Sequence, residues 1–291
     1  MAGEVPPVPA RANWLVLLAA SVGLGTIIAS CASGRLGPER IRLPGSDTML
    51  PLTRLLAQAF AEQEPGVRVE VVGGGSTAGI AELIAGRAEL CAASRPLTPK
   101  EAHELFRRQS RLGVAVQVAR DGLAVFVHQS NPVQGLSKLQ LKGIFTGRIR
   151  RWEKVGGVEG DIRIFIRPPS SGTHGFFRTT VLDGEEYASF ARAVETTEEL
   201  VKLIGTDIGA IGYGGMAYRC GGVRAIAVDG VAPTPEAVRV GAYPLSRYLF
   251  LITAGPPEGA VKRFVDFALS PQGQAVVAAA GYVPLFALKS R

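Results

Sequence analysis

Three short turns rich in Gly, Ser and Thr stand out for what they could hold: LPGSDTMLPL (43–52), VVGGGSTAGIAELI (71–84) and RPPSSGTHGFF (167–177). Each reads as a passage from a strand into a helix. Such a turn aims unpaired backbone N–H groups and a hydroxyl at one point, and the helix dipole adds attraction for an anion. One turn of this kind is ordinary helix capping; three in one chain point to an anion cradle. Arginines stand beside two such features, Arg167 four residues before Ser171 and Arg95 in ASRPL (93–97) at the end of a strand-like run. A guanidinium offers a planar fork of donors suited to phosphate or carboxylate oxygens. The other reading of each arginine is a surface or interlobe salt bridge. A charge-assisted hydrogen bond contributes about 1.5–3 kcal/mol net, and micromolar binding needs only about 8 kcal/mol. A handful of well-placed donors therefore suffices without metal or aromatic platform.

The same serines could instead be nucleophiles, which would make the chain an exported phosphate-ester hydrolase. A nucleophilic Ser76 or Ser171 needs a base within hydrogen-bond reach, itself oriented by a third group. His174 is the only histidine close in sequence, three residues beyond Ser171 and about one turn along the expected helix. Neither turn has the G-x-S-x-G nucleophile elbow. Catalytic residues and cofactors are therefore not expected. The three histidines, His103, His128 and His174, are scattered, and no Cys or His cluster has metal-ligand spacing.

The elements that must position these turns follow from periodicity. Runs at 67–72, 89–94, 113–119 and 123–128 read as strands, while Leu52, Leu55, Leu56, Ala59 and Phe60 lie at helical spacing, as do Val261, Phe264, Val265, Ala268 and Leu269. Thr98 with Glu101, Ser137 with Gln140, and Thr196 with Glu199 have capping-box spacing and predict helix starts. Alternating strand and helix imply an α/β fold with mostly parallel sheets, in which ligands meet the carboxyl ends of strands. With 291 residues the chain can form one large domain or two lobes.

A net charge of +7 suits an acidic partner, but GRIRRWEK (147–154) is the densest basic cluster and is too short for a nucleic-acid tail. After Arg11, the apolar run WLVLLAASVGLGTIIAS (14–30) has the layout of a secretory signal. IASC (28–31) resembles a bacterial lipobox, with Cys31 as the lipidated mature N-terminus; the alternative is an uncleaved anchor, for which the run is short. These features predict a signal peptide at 1–30, a tether at 31–40 and an extracytoplasmic, lipid-anchored domain. Cys91 and Cys220 could pair with each other, but they lie far apart in apolar or Gly-rich contexts, and the favoured reading is two unpaired thiols.

Taken together, the three turns resemble those of the phosphate-binding proteins of bacterial ABC importers, the PstS-like branch of the periplasmic binding proteins. The resemblance extends through LSKLQLKGIFTGRIRRWEKVGG (136–157), IGAIGYGGMAY (208–218), YPLSRYLFLIT (243–253) and FALSPQGQAVVAAAGYVPL (267–285). It implies a two-lobed Venus-flytrap α/β fold with two chain crossings, lobe one spanning 41–117 plus 246–291 and lobe two 118–245. It further implies a monomer that closes over inorganic phosphate and delivers it to an ABC permease. In that reading Thr48 and Met49 offer backbone N–H groups, Thr48 and Ser76 add hydroxyls, Arg167 supplies charge, and Ser171, Gly172 and Thr173 complete the cradle. Arg95 joins the site as a departure. The best-known members have there an aspartate that accepts the proton of hydrogen phosphate and so excludes sulfate, although some relatives also carry arginine. Sulfate or a phosphorylated metabolite is thus an alternative ligand. Ser170, where relatives usually have Gly, and His174, where many have arginine, are further departures.

Overall fold

The computed structural model describes residues 39–218 and 221–287. The signal-peptide, lipobox and anchor readings, with Cys31, and the reading of Cys220 lie outside the described residues. In chain order the elements are β1 (Glu39–Pro44), α1 (Leu50–Gln63), β2 (Val67–Val72), α2 (Ser76–Ile84), β3 (Cys91–Ala93), α3 (Pro99–Gln109), β4 (Val114–His128), β5 (Gly135–Leu136), α4 (Lys138–Phe145), β6 (Arg163–Ile166), α5 (Gly172–Thr180), β7 (Arg192–Ala193), α6 (Thr197–Gly205), β8 (Ala210–Gly215), β9 (Val223–Val228), α7 (Pro235–Arg239), β10 (Ser246–Thr253), α8 (Gly259–Leu269) and α9 (Pro271–Ala279). The class is α/β, as alternating periodicity predicts.

The sheets are more mixed than alternation suggests. β1 pairs with β2 in parallel, and β6 is parallel to both β7 and β8. The spine of the larger sheet, β3-β10-β4-β8, is antiparallel throughout. The reason lies in β4. The two strand-like runs 113–119 and 123–128 join into one strand, because Arg120 and Asp121 between them stay extended and pair with Tyr248 and Arg247 of β10. The first part of β4 pairs with β10, and the second part pairs with β8 and β9.

β4 also connects two cores. Val118 and Ala119 pack with Leu52, Leu56 and Phe60 of α1, with Leu249 and Leu251 of β10, and with Phe264 of α8. Leu123 to Val127 pack with Phe145, Phe177 and Tyr213. Aromatic rings anchor each cluster: Phe60 meets Phe264 edge-on at 5.2 Å, and Phe177 stacks on Tyr213 at 4.2 Å. Burying such a side chain contributes about 1.5–3 kcal/mol.

Helix starts follow the capping signals. Thr98 and Ser137 each make the complete reciprocal box with Glu101 and Gln140. Thr196 makes half of one, accepting from the Glu199 N–H. All three Gly/Ser/Thr turns end in helices: Gly45 and Ser46 lead through a 3-10 turn (Asp47–Met49) into α1, Gly75 into α2, and Ser171 into α5. The loop glycines are required. Gly45 has φ +144° and a Cβ there would lie 2.0 Å from the Ala92 carbonyl oxygen, while Gly75 has φ +95°. No side chain could let the first turn press against β3 in this way.

Candidate anion-binding site

The N-termini of α2 and α5 meet head to head. The Thr77 N–H in the first turn of α2 donates to the Ser170 carbonyl just before α5, at 3.1 Å. Gly172 opens α5 so close to its neighbours that a Cβ would lie 2.5 Å from both the Ser76 and Ser94 hydroxyl oxygens. The Ser76 hydroxyl accepts from the Ser94 N–H at 3.1 Å and lies 3.2 Å from the Ser94 hydroxyl. From the 3-10 turn before α1, the Thr48 hydroxyl reaches that of Thr173 at 2.7 Å. Ser76, Thr48, Ser171, Gly172 and Thr173 are all buried, so these groups face one another in a space sheltered from water.

Each residue singled out by sequence has a definite place. Ser171 caps α5, its hydroxyl accepting from the Thr173 N–H at 3.2 Å. The Met49 N–H is already used by the Ser46 carbonyl at 2.9 Å, and its side chain lies in the core. Arg167 is buried and held by protein acceptors. It donates to the Val194 and Glu195 carbonyls and the Thr197 hydroxyl, and pairs with Asp47 at 3.1 Å. Arg95 makes a two-pronged pair with Glu101, both distances 2.7 Å, and reaches the Thr77 hydroxyl. The His174 ring meets the Tyr187 ring tilted by 39° at 4.5 Å between centroids, and burial lowers its pKa, assisted by the Arg178 charge.

Sequence reasoning missed four residues that the fold brings in. Ser94 adds a hydroxyl beside Ser76. Asp47 accepts the Thr197 N–H at the start of α6 at 3.1 Å while pairing with Arg167. Arg247 of β10 lies over the Phe176 ring and gives Nη1 to the Thr173 hydroxyl at 3.1 Å. Asp121 of β4 accepts from the Nε and Nη2 of Arg247 at 3.0 and 2.8 Å. A sequence signal existed: Arg247 and Asp121 are charges set inside apolar strand runs, where a lone charge must be buried and paired.

The electrostatics follow from these pairs. Burial lowers the pKa of Arg167, opposed by Asp47. Burial raises that of Asp121, opposed by Arg247. Each buried arginine is matched by one buried carboxylate, so the four charges cancel. An anion entering here would be held chiefly by hydroxyls, by the unspent N–H groups of helix first turns, and by the donors Arg247 has left over. Ser76 and Ser171 bond no histidine or carboxylate, and among the described residues no His/Cys/Asp/Glu group could hold a metal ion.

The chain matches known proteins along most of its length. A family described as "PBP superfamily domain" matches residues 32–272. The phosphate-binding protein PstS of Bacillus subtilis (strain 168) is 31% identical over 284 residues, covering 96% of this chain and 93% of that protein. PstS of Pseudomonas aeruginosa is 28% identical over 303 residues, covering 93% of each. Among solved structures, a protein of Clostridium perfringens with bound phosphate aligns at a TM-score of 0.80 with 31% identity, covering 85% of this chain and all of that one. An ABC-type phosphate transport receptor from Vibrio cholerae aligns at 0.71 with 30% identity, covering 84% of this chain and 99% of that one. Such relatives are two-lobed transport binding proteins and not enzymes, which sets the hydrolase reading aside. The chain belongs to the PstS family of the periplasmic-binding-protein superfamily.

Proposed function

We propose that this chain binds inorganic phosphate between two lobes, outside the cytoplasm, and presents it to an ABC permease. The observation that carries the reading is the meeting of Ser76, Ser94, Gly172, Thr173 and Thr48 at the converging starts of three helices. Such a cluster of buried donors supports a small tetrahedral oxyanion and offers no surface for a larger ligand. The relatives named for phosphate binding, and the C. perfringens structure with phosphate bound, support the same ligand.

In this reading the two cores are the two lobes, and the crossings fall where β4 and β10 pass from one to the other, about residues 120–122 and 245–248. Thr48 and Ser76 act from the first lobe, and Ser171, Gly172 and Thr173 from the second. Arg167 serves by clasping Asp47 across the cleft. The protein acts as a monomer, tethered to the membrane through lipid on Cys31. Titrating phosphate into the purified protein by calorimetry tests the core of the reading. Binding with a dissociation constant below about 1 mM, which corresponds to about 4 kcal/mol, is expected; no heat in that range would overturn it.

A further inference from the structure

The strands of the first core share a pole remote from the cradle. β1 and β2 run parallel, starting together at Glu39 and Val67 and ending together at Pro44 and Val72, where the turns at Gly45 and Gly73 lead toward the cradle. At the starting end, Cys91 of β3 and Ala115 of β4 both face Ile252 of β10, and Val114 faces Thr253. β1 lies level with these strands, since Gly45 bridges in parallel to Ala92 and the Arg42 N–H donates to the Glu89 carboxylate. A cavity of about 280 Å³ lies among these ends, lined by Gly86, Arg111, Gly255, Pro256, Glu258 and Val261. Glu39 is next to it: a Cβ at Gly259 would lie 3.6 Å from its carboxylate, and Arg263 pairs with it at 3.1 Å. Six residues of strand, about 20 Å, separate this pole from the cradle.

α3 ends at the same pole, where the Gln109 amide donates to the Leu83 and Ile84 carbonyls. Leu105 goes into the core, while Phe106 beside it points outward and is 52% exposed. Leu112, just past the left-handed Ser110 that ends the helix, is 75% exposed. Arg107, Arg108 and Arg111 lie between these two in the chain, and all three are exposed. Arg107 and Arg108 share Glu104, and Arg111 has no ion pair or hydrogen bond among the described residues. Over residues 95–113 five Lys and Arg stand against two Glu, a local charge of +3. Single exposed apolar residues are ordinary. Apolar tips set among arginines, however, have the composition of a contact with an anionic lipid interface.

We propose that this pole is a membrane-contacting surface, with Phe106 and Leu112 entering the interface of an anionic bilayer and Arg107, Arg108 and Arg111 meeting its phosphate headgroups. The inference rests on the reading of Cys31 as a lipid anchor. Eight residues lead from Cys31 to Glu39 and reach at most about 29 Å when fully extended, so the anchor keeps this pole beside the bilayer. Tethering raises the local concentration of lipid, and a contact too weak to recruit the protein from solution then suffices to orient it. In that orientation the cradle, at the far ends of β1 and β2, faces away from the lipid and toward solute.

The test is fluorescence of the mature lipidated chain held in vesicles. Trp152, the only tryptophan beyond Cys31, is wholly buried. Leu112→Trp therefore reports on the pole, and Leu139→Trp, at a position 78% exposed on α4 of the other core, serves as the comparison. In vesicles of phosphatidylglycerol and phosphatidylcholine at about 3:7, brominated lipid is expected to quench Leu112→Trp at least about threefold more than Leu139→Trp. Adding Arg108→Glu and Arg111→Glu, or using phosphatidylcholine alone, is expected to abolish the difference. Calorimetry should find phosphate binding unchanged in every variant, which also verifies folding. Equal quenching at the two positions overturns the proposal. So does a difference that survives charge reversal, which would mean that the tether alone sets the orientation. Absence of quenching at the pole in these protein-free vesicles also overturns it and would assign the surface to a protein partner. Mass spectrometry that finds no lipid on Cys31 would overturn the anchoring reading itself, a distinct result with which the proposal also falls.

Discussion

Replacing Gly172 with Ala separates closure from folding. The added methyl would lie 2.5 Å from the hydroxyl oxygens of Ser76 and Ser94 and 2.9 Å from the Ser76 Cβ, so the head-to-head meeting of α2 and α5 must open. Overpacking of this kind costs about 1–3 kcal/mol. Displacing the Ser76 hydroxyl from its bond with the Ser94 N–H adds about 1 kcal/mol. The closed form is therefore destabilised by about 2–4 kcal/mol, and with each 1.4 kcal/mol worth a factor of ten, phosphate affinity falls about 30- to 1,000-fold. Alanine is at the same time a better helix former than glycine by about 1 kcal/mol in a helix interior, and less at the first position. The melting temperature of the free protein should hold or rise slightly while calorimetry shows the loss of binding. A variant that binds phosphate within threefold of wild type would refute the claim that the two helix starts must touch for the ligand to be held.

Other expectations follow from the buried charges. Arg167→Ala strands the Asp47 carboxylate without its guanidinium, and denaturant unfolding should show a loss of about 3–5 kcal/mol; no loss would mean that the clasp is solvated. His174 has a folded-state pKa lowered by burial and the Arg178 charge, so its contribution is complete above the ordinary value of about 6.5 and is lost as pH falls through the lower folded value. Unfolding midpoints should drop over that acidic window, and His174→Gln should flatten the drop. The Cys91 thiol is buried, with a pKa pushed up to about 12. Mass spectrometry after iodoacetamide near pH 8 should find Cys91 unlabelled in the native protein and labelled after unfolding.

How far sequence reasoning reached depended on how local the signal was. The three turns carry their geometry in their own residues, since a glycine (at positive φ in the first two turns), a hydroxyl and a following helical period suffice to specify a helix start. Thr98 and Ser137 announced α3 and α4 for the same reason. The partners across the cleft were not legible in this way. Arg167 stands out in RPPSSGTHGFF, but that Asp47, 120 residues earlier, would meet it is a matter of topology. Asp121 and Arg247 are 126 residues apart and meet only because β4 and β10 pair antiparallel in one register. Strand alternation gave no sign of that direction, which is also why mostly parallel sheets were expected and an antiparallel spine was found.

The cancelling of charge around the cradle has a kinetic consequence. With Arg167 matched by Asp47 and Arg247 by Asp121, the net +7 of the chain resides away from the site, on groups that dissolved salt can screen. Ionic strength should therefore act on arrival and leave residence alone. Raising salt should slow capture of phosphate, while its escape, governed by buried hydroxyls and helix starts, proceeds at an unchanged rate.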